Sequence, residues 1–252
     1  MKAQRTGSSA TGPTRAVRNA RPALASAIVT ATVIAPVPAR PPQAEAILEA
    51  AAKAFAERGF PGASMAELAR ACGVSKALLY HYYTNKEELL FDMTERYMAR
   101  LVALCAAIES RQLEPRAHLA ELIRSFLAEY QTSQHKHMVL THDFKFLGAS
   151  RRRVIVGRQR AVVGAFRRAL AAASGGALTV ESALPAAMLV FGMINWTFTW
   201  LKPRGPMSYA EFAEWVIRML EGGVGNLAPA VAAQPAAFGI RNNATRATVR
   251  RA

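Results

Sequence analysis

The sequence predicts an all-α protein, and three observations carry that expectation. Apolar residues recur at helical spacing through most of the middle of the chain, where Ala, Leu, Glu and Arg dominate. Alternating runs of β-branched residues are scarce. Capping residues, glycines and prolines fall between the periodic stretches, where helices must start and stop.

Each element follows from that pattern. A first helix over about 43–57 places Ile47, Leu48, Ala51 and Phe55 on one face and stops at Gly59. Ser64 and Glu67 form an S-x-x-E capping box for a second helix over 65–71, ending at Cys72-Gly73. A third helix runs over about 75–82, and Asn85 caps a long fourth through Leu89, Met93, Tyr97 and Leu101. Beyond residue 109, helices are expected over 115–132, 135–147, 151–173, 180–201 and 208–221. Pro115 suits a helix start, while Gly148, Gly175-Gly176 and "KPRGP" supply breaks. No repeat appears at solenoid spacing.

Composition bounds the function. The 252 residues are 52% hydrophobic, enough for a substantial core, and carry a formal charge of +15. Six basic residues and no acid precede Glu45, and four more follow Glu221, which leaves +5 between them. Residues 1–42 are therefore expected as a disordered basic extension and 226–252 as a disordered basic tail. Such ends attract polyanions in a salt-dependent way without naming one. Within the first extension "LASAIVTATVIAPVPA" has the outline of a secretory signal but is too short for a membrane span; a misassigned start or a flexible arm are the other readings. Two cysteines, Cys72 and Cys105, suggest neither a disulfide scaffold nor a zinc site and fit a reducing cytoplasm. No G-x-S-x-G, H-E-x-x-H, P-loop or Rossmann glycine run is present, so neither an enzyme nor a cofactor is implied.

The stretch "CGVSKALLYHYYTNKEEL", Cys72 to Leu89, carries the strongest functional signal. Two short helices joined by a glycine turn are the outline of a helix-turn-helix, whose second helix enters the major groove. Met65, Leu68, Ala69, Val74, Leu79 and Tyr83 can pack on one another and on Phe55, which leaves Lys76, Ala77, Leu78, His81 and Tyr82 on the other face. Lysine can reach guanine edges and small apolar side chains can touch thymine methyls. Charge alone would also permit a merely solvated face.

The longer run "ILEAAAKAFAERGFPGASMAELARACGVSKALLYHYYTNKEELL", Ile47 to Leu90, resembles the DNA-binding domain of the tetracycline-repressor (TetR) family. Ala63-Ser64-Met65 and the stretch from Leu68-Ala69 through Ser75 match that family's motif, with Cys72 in place of the usual small residue. The resemblance covers about a fifth of the chain. It implies that Ser64, Ser75, Tyr80, Tyr82 and Lys86 contact phosphates, and that Lys76, Ala77, Leu78 and His81 lie nearest the bases. It divides the chain into a DNA-binding domain over 43–90 and a ligand-binding and dimerisation domain over 91–225. A homodimer on a palindromic double-stranded DNA operator, released by a small-molecule effector, is the function it implies.

The larger half offers suitable material. "ALPAAMLVFGMINWTFTWL" and the stripe Phe212, Trp215, Val216, Met219 and Leu220 suit a helical dimer interface, or an internal core. Candidate ligand contacts are Phe126, Tyr130, Met138, Phe144, Leu147, Phe166, Met193, Asn195, Trp196 and Trp200. The segment "FGMINWTFTWLKPRGPMSYAEFAE" is similar to the C-terminal regions of family members that sense acyl-CoA thioesters. Eight basic residues and no acid lie between Lys145 and Arg168, so Arg152 and Arg153 become candidates for the CoA phosphates; a solvated helix face is the bland reading. His135, His137 and His142 lack a carboxylate or thiolate companion at i,i+4 spacing, so no metal site is assigned. A nonspecific basic DNA-coating protein remains the second functional class, separable by salt and sequence dependence.

Overall fold

A computed structural model describes residues 41–202 and 204–223. The two basic extensions lie outside the described residues, apart from Pro41 and Pro42. Among the described residues the structure is helical throughout. The elements are α1 (Pro42–Gly62), α2 (Met65–Ala71), α3 (Lys76–Tyr82), α4 (Lys86–Glu109), α5 (Pro115–Thr132), α6 (Gln134–Asp143), a 3-10 turn (Phe144–Phe146), α7 (Ala149–Ala173), α8 (Leu184–Ile194), α9 (Thr197–Trp200) and α10 (Tyr209–Gly223).

Local chemistry sets the first boundaries. Pro42 occupies the first turn of α1, where a missing N–H leaves no bond unmade. Gly59 interrupts the helix at φ 72° and ψ 156°, a conformation open to glycine, before a last short turn through Pro61. Ser64 and Glu67 close the expected capping box: Glu67 Oε2 accepts from Ser64 N at 2.8 Å, and Ser64 Oγ accepts from Glu67 N at 3.3 Å. Ser64 N and Ser64 Oγ both donate to that carboxylate and hold it below the usual carboxylate range. Asn85 caps α4 through Glu88 N at 2.9 Å.

α4 is one continuous helix across residue 90, so the segment expected to bind DNA and the segment beyond it share an element. Its inner face, from Leu89 and Leu90 to Cys105 and Ile108, is buried in a core that continues from α1 through α5, α7, α8 and α10. α10 packs on α5, fastened at its surface by a two-bond pairing of Arg124 with Glu214 at 2.6 and 3.1 Å.

Two expected helices are corrected. The helix expected over 135–147 ends at Asp143 and passes into the 3-10 turn. Its end is tied sideways, because Asp143 Oδ2 accepts from Phe60 N at 3.1 Å. The helix expected over 180–201 breaks twice. Thr179 and Ser182 exchange side-chain bonds with each other's backbone N–H at 2.9 and 3.2 Å, which favours a turn before Pro185 opens α8. At the other end the Asn195 carbonyl leaves the helical ladder and accepts from His137 Nε2 at 2.9 Å.

Candidate DNA interface and cavity

The turn between α2 and α3 is made possible by Gly73, at φ 66°. Leu68, Ala69, Leu79 and Tyr83 are buried beneath it, with Met65 and Val74 half-buried. Ser75, Lys76, Ala77, Tyr80 and His81 are exposed, and Leu78 and Tyr82 are half-buried. With its cap Ser75, the seven-residue α3 therefore presents a mixed face: a lysine 5.8 Å from the Tyr80 ring centroid, the small side chains of Ser75 and Ala77, and a histidine edge-on to Tyr82 at 5.5 Å.

The hydrogen bonds separate the candidates further. Ser75 Oγ accepts from Leu78 N at 3.1 Å, which leaves its own proton free to donate. Ser64 Oγ instead donates to Glu67 Oε2 at 2.8 Å while accepting from Glu67 N, so both functions of its hydroxyl are occupied. Lys86 is also engaged: Nζ donates to the carbonyls of Phe60 and Ala63 at 2.9 and 3.1 Å and lies 4.5 Å from the Phe60 ring centroid. It clamps the end of α1 onto α4 and is half-buried, an arrangement that works against the phosphate role expected for it.

A cavity of 360 Å³ opens between α4, α5, α6, α7 and α8. Of the expected ligand contacts, Tyr130, Phe144 and Asn195 line it. Phe126 and Phe166 stand behind Tyr130, with Phe126 edge-on to both at 5.9 and 4.9 Å. Leu147, Met138, Met193, Trp196 and Trp200 are not among the lining residues, and the two tryptophans are about half exposed. The reason is the break at Asn195, which turns the chain so that Trp196 meets His142 and Phe198 instead. Sequence reasoning missed Met98, Leu101, Gln159, Val162 and Met188 among others, residues it read as core, as basic surface or as dimer interface.

Of the lining residues absent from the expected set, His137 is the most connected. It is 4% exposed and stacks on Tyr130 with centroids 3.9 Å apart. A carbonyl can only accept, so Nε2 carries the proton toward Asn195 O, and Nδ1 accepts from Tyr97 Oη at 3.3 Å. Burial lowers its pKa to about 4, so the ring is neutral near pH 7. Tyr130 Oη donates to Asn195 Oδ1 at 2.9 Å, and burial pushes the phenol pKa well up. Among the described residues no group of three or more His, Cys, Asp or Glu could hold a metal ion, and no helix is long and apolar enough to cross a membrane.

The basic run on α7 and the turn before it is largely tied to neighbours. Arg151 meets Glu87, Arg158 is buried against Glu95, Arg168 meets Glu109, and Arg167 donates to the Val180 and Glu181 carbonyls. Arg152 and Arg153 are exposed and neither lines the cavity. Arg152 lies two turns before Gln159 on α7, roughly 10 Å along the axis.

α6 has two neighbours that matter. It supplies His137, Leu140 and Thr141 to the cavity and packs along α1 on its other side. Lys136 pairs with Glu49 and, at 3.7 Å, with Glu45. A polar cleft of 330 Å³ lies at this junction, and Tyr97 lines it while its hydroxyl reaches His137 in the cavity wall.

The comparisons with known proteins agree with this architecture. Residues 47–93 match the model for bacterial regulatory proteins of the tetR family, and residues 112–224 match the tetracyclin repressor-like C-terminal domain. A TetR-family transcriptional regulator from Bordetella parapertussis is 32% identical with a TM-score of 0.68, over 75% of this chain and 98% of that one. The chain belongs to the TetR family. A second TetR-like structure, AibR in complex with isovaleryl coenzyme A and operator DNA, is 28% identical with a TM-score of 0.63, over 70% of this chain and 97% of that one. Among curated relatives, the HTH-type transcriptional regulator BetI of Rhizobium meliloti is 33% identical over 90 residues, 35% of this chain. That match spans 44% of BetI's own length. TetR membership accounts for the paired pattern found here, a small helix-turn-helix head joined to a larger helical body with an internal cavity.

Proposed function

We propose that the chain is a ligand-responsive transcriptional repressor that binds a palindromic operator as a homodimer and releases it when a small effector fills the cavity. The DNA-binding part spans 43–90 and the effector and dimerisation part 91–225. One observation carries the coupling: α6 is at once a wall of the cavity and the surface on which α1 of the reading head rests. An occupant that displaces His137 or Leu140 moves the helix that holds Phe60 through Asp143 and α1 through Lys136. Two heads must match successive major grooves, roughly 35 Å apart, so a small tilt of α1 releases DNA.

The dimer reading rests on apolar surface that one subunit leaves bare. Leu184, Met188 and Leu189 on α8, and Trp215 and Met219 on α10, are 43–67% exposed. They belong to the two helices expected to pair, and such a patch is covered in a stable soluble protein. For the effector, an acyl-CoA thioester suits a cavity that holds an acyl group with Arg152 outside it; this follows the AibR likeness and the C-terminal pattern.

Fluorescence anisotropy on the DNA upstream of the protein's own gene tests the reading. A preferred duplex should bind at least about 10³-fold more tightly than a scrambled one at physiological salt. Uniform affinity for all duplexes, lost equally with salt, would favour the DNA-coating alternative. Effector and operator must weaken each other by the same factor.

A further inference from the structure

The cavity's polar groups differ in what they have left to offer. Tyr130 Oη donates to Asn195 Oδ1, both nitrogens of His137 are engaged, and Thr141 Oγ1 donates to the His137 carbonyl at 2.8 Å. Two groups remain. Asn195 Nδ2 has no hydrogen-bond partner among the described residues, and neither end of the Gln159 side-chain amide has one. Both residues line the cavity and neither is fully buried, so an occupant of the cavity can meet their side chains.

The same wall holds no charge. Its other members are Met98, Leu101, Leu140, Phe144, Val162, Val163, Met188 and Phe191 beside the tyrosine, histidine and threonine. Arg158, one residue from Gln159, is held by Glu95 and does not line the cavity. His137 cannot act as a cation here, since burial keeps it neutral and its Nε2 proton already has an acceptor. A carboxylate or ammonium entering this space would give up part of its hydration and find no counter-charge on the wall.

We propose that Asn195 and Gln159 are the specificity pair of this cavity: together they receive an uncharged carbonyl of the effector, and they exclude free carboxylates and amines. Asn195 Nδ2 donates to the carbonyl oxygen, and the Gln159 amide shares that oxygen or takes the second heteroatom of an ester, thioester or amide. This deepens the effector reading above and rests on it. At 360 Å³ the cavity lies near the small end of ligand pockets, about 300–1,000 Å³, so it takes the acyl end of a larger molecule or a small neutral one whole. The class is an ester, thioester, amide or ketone with a compact apolar body. Any phosphate or acid the molecule carries stays outside.

The test uses the full chain and probes that lack phosphate. Titration calorimetry at pH 7.5 compares the N-acetylcysteamine thioesters, methyl esters and free acids of isovaleric, phenylacetic and octanoic acids. At least one neutral member should bind at least about tenfold more tightly than its own acid. Gln159→Met removes the amide at nearly constant volume, and Asn195→Asp keeps the acceptor that Tyr130 uses while removing the donor. Each should weaken the bound neutral probe about tenfold, as loss of one buried hydrogen bond implies, with thermal melting showing both variants folded. Acids binding as tightly as their esters, both variants binding the neutral probe like the parent, or no probe binding at all would each overturn the proposal. Operator anisotropy with the same probes keeps the two readings apart: tight neutral binding without DNA release sinks the repressor reading and leaves the specificity pair standing.

Discussion

The reading head is built on two short helices and the cavity mostly on long ones, and they keep their functional groups in opposite places. In the head, the packed residues Leu68, Leu79 and Tyr83 are 0–1% exposed, and the groups offered to a partner stand outward on the seven residues of α3. In the body, the candidate groups line a cavity between five helices, and the outward surface carries ion pairs and bare apolar side chains. A surface site needs one helix with the right spacing, whereas an internal site needs several helices placed correctly at once. The two regions should therefore respond differently to substitution.

The largest contrast is in stability. Phe126→Ala removes a ring that is 0% exposed and edge-on to Tyr130 and Phe166, and should cost about 3–5 kcal/mol in denaturant unfolding. Tyr80→Ala, at a residue of α3 that is 44% exposed, should stay within about 0.5 kcal/mol. Similar losses at the two positions would erase the distinction between inward and outward sites.

A second difference is in pH response, and it belongs to the cavity. The folded state holds His137 near pKa 4, against 6.5 for the free side chain. Between those values the unfolded chain binds the proton and the folded chain does not, so stability rises with pH there and is lost on acidification. The difference amounts to about 3 kcal/mol by pH 4. His137→Gln should flatten the pH 4–6.5 limb of the unfolding free energy. An unchanged slope would assign that limb to other groups.

How much of each region was legible follows from the same contrast. The head's boundaries, its capping box and its exposed face depend on neighbours within about ten residues, and the structure places those elements where the spacing put them. α5 also begins and ends at the expected Pro115 and Thr132. The cavity was only partly legible. Tyr130 and Asn195 are 65 residues apart, and no periodicity could show that His137 would take up the Asn195 carbonyl and end α8 there. That break sent Trp196 and Trp200 away from the cavity, while Gln159, hidden in a basic run on α7, forms part of its wall. The basic run misled for a related reason: its acids, Glu87, Glu95 and Glu109, sit on α4, more than 50 residues earlier.

Lys76 sharpens the comparison from the DNA side. Its substitution by alanine should cost about 1–3 kcal/mol on the preferred operator and relax selection at one base pair, with no effect on the unfolding midpoint. Equal losses on operator and random duplexes would move Lys76 to a phosphate and leave base reading to His81 or Leu78.

The smallest predicted effect concerns Ser64, where the structure sets two roles against each other. A phosphate contact needs the hydroxyl proton, but that proton is directed to Glu67 Oε2 at 2.8 Å while the oxygen accepts from Glu67 N. Ser64→Ala should therefore behave as a lost helix cap, lowering stability by about 1 kcal/mol. Operator affinity should fall slightly and by the same factor at every salt concentration, because no phosphate charge is left unmatched. Ser75→Ala is the informative partner, since Ser75 Oγ caps α3 through Leu78 N and still has a proton to give. Its loss should cost a similar amount of stability and a further severalfold in affinity on all duplexes alike. If Ser64→Ala weakened DNA binding as much as Ser75→Ala with stability unchanged, the capping box would have to open on the operator, and Glu67 would then stand beside the phosphates with no role that this geometry explains.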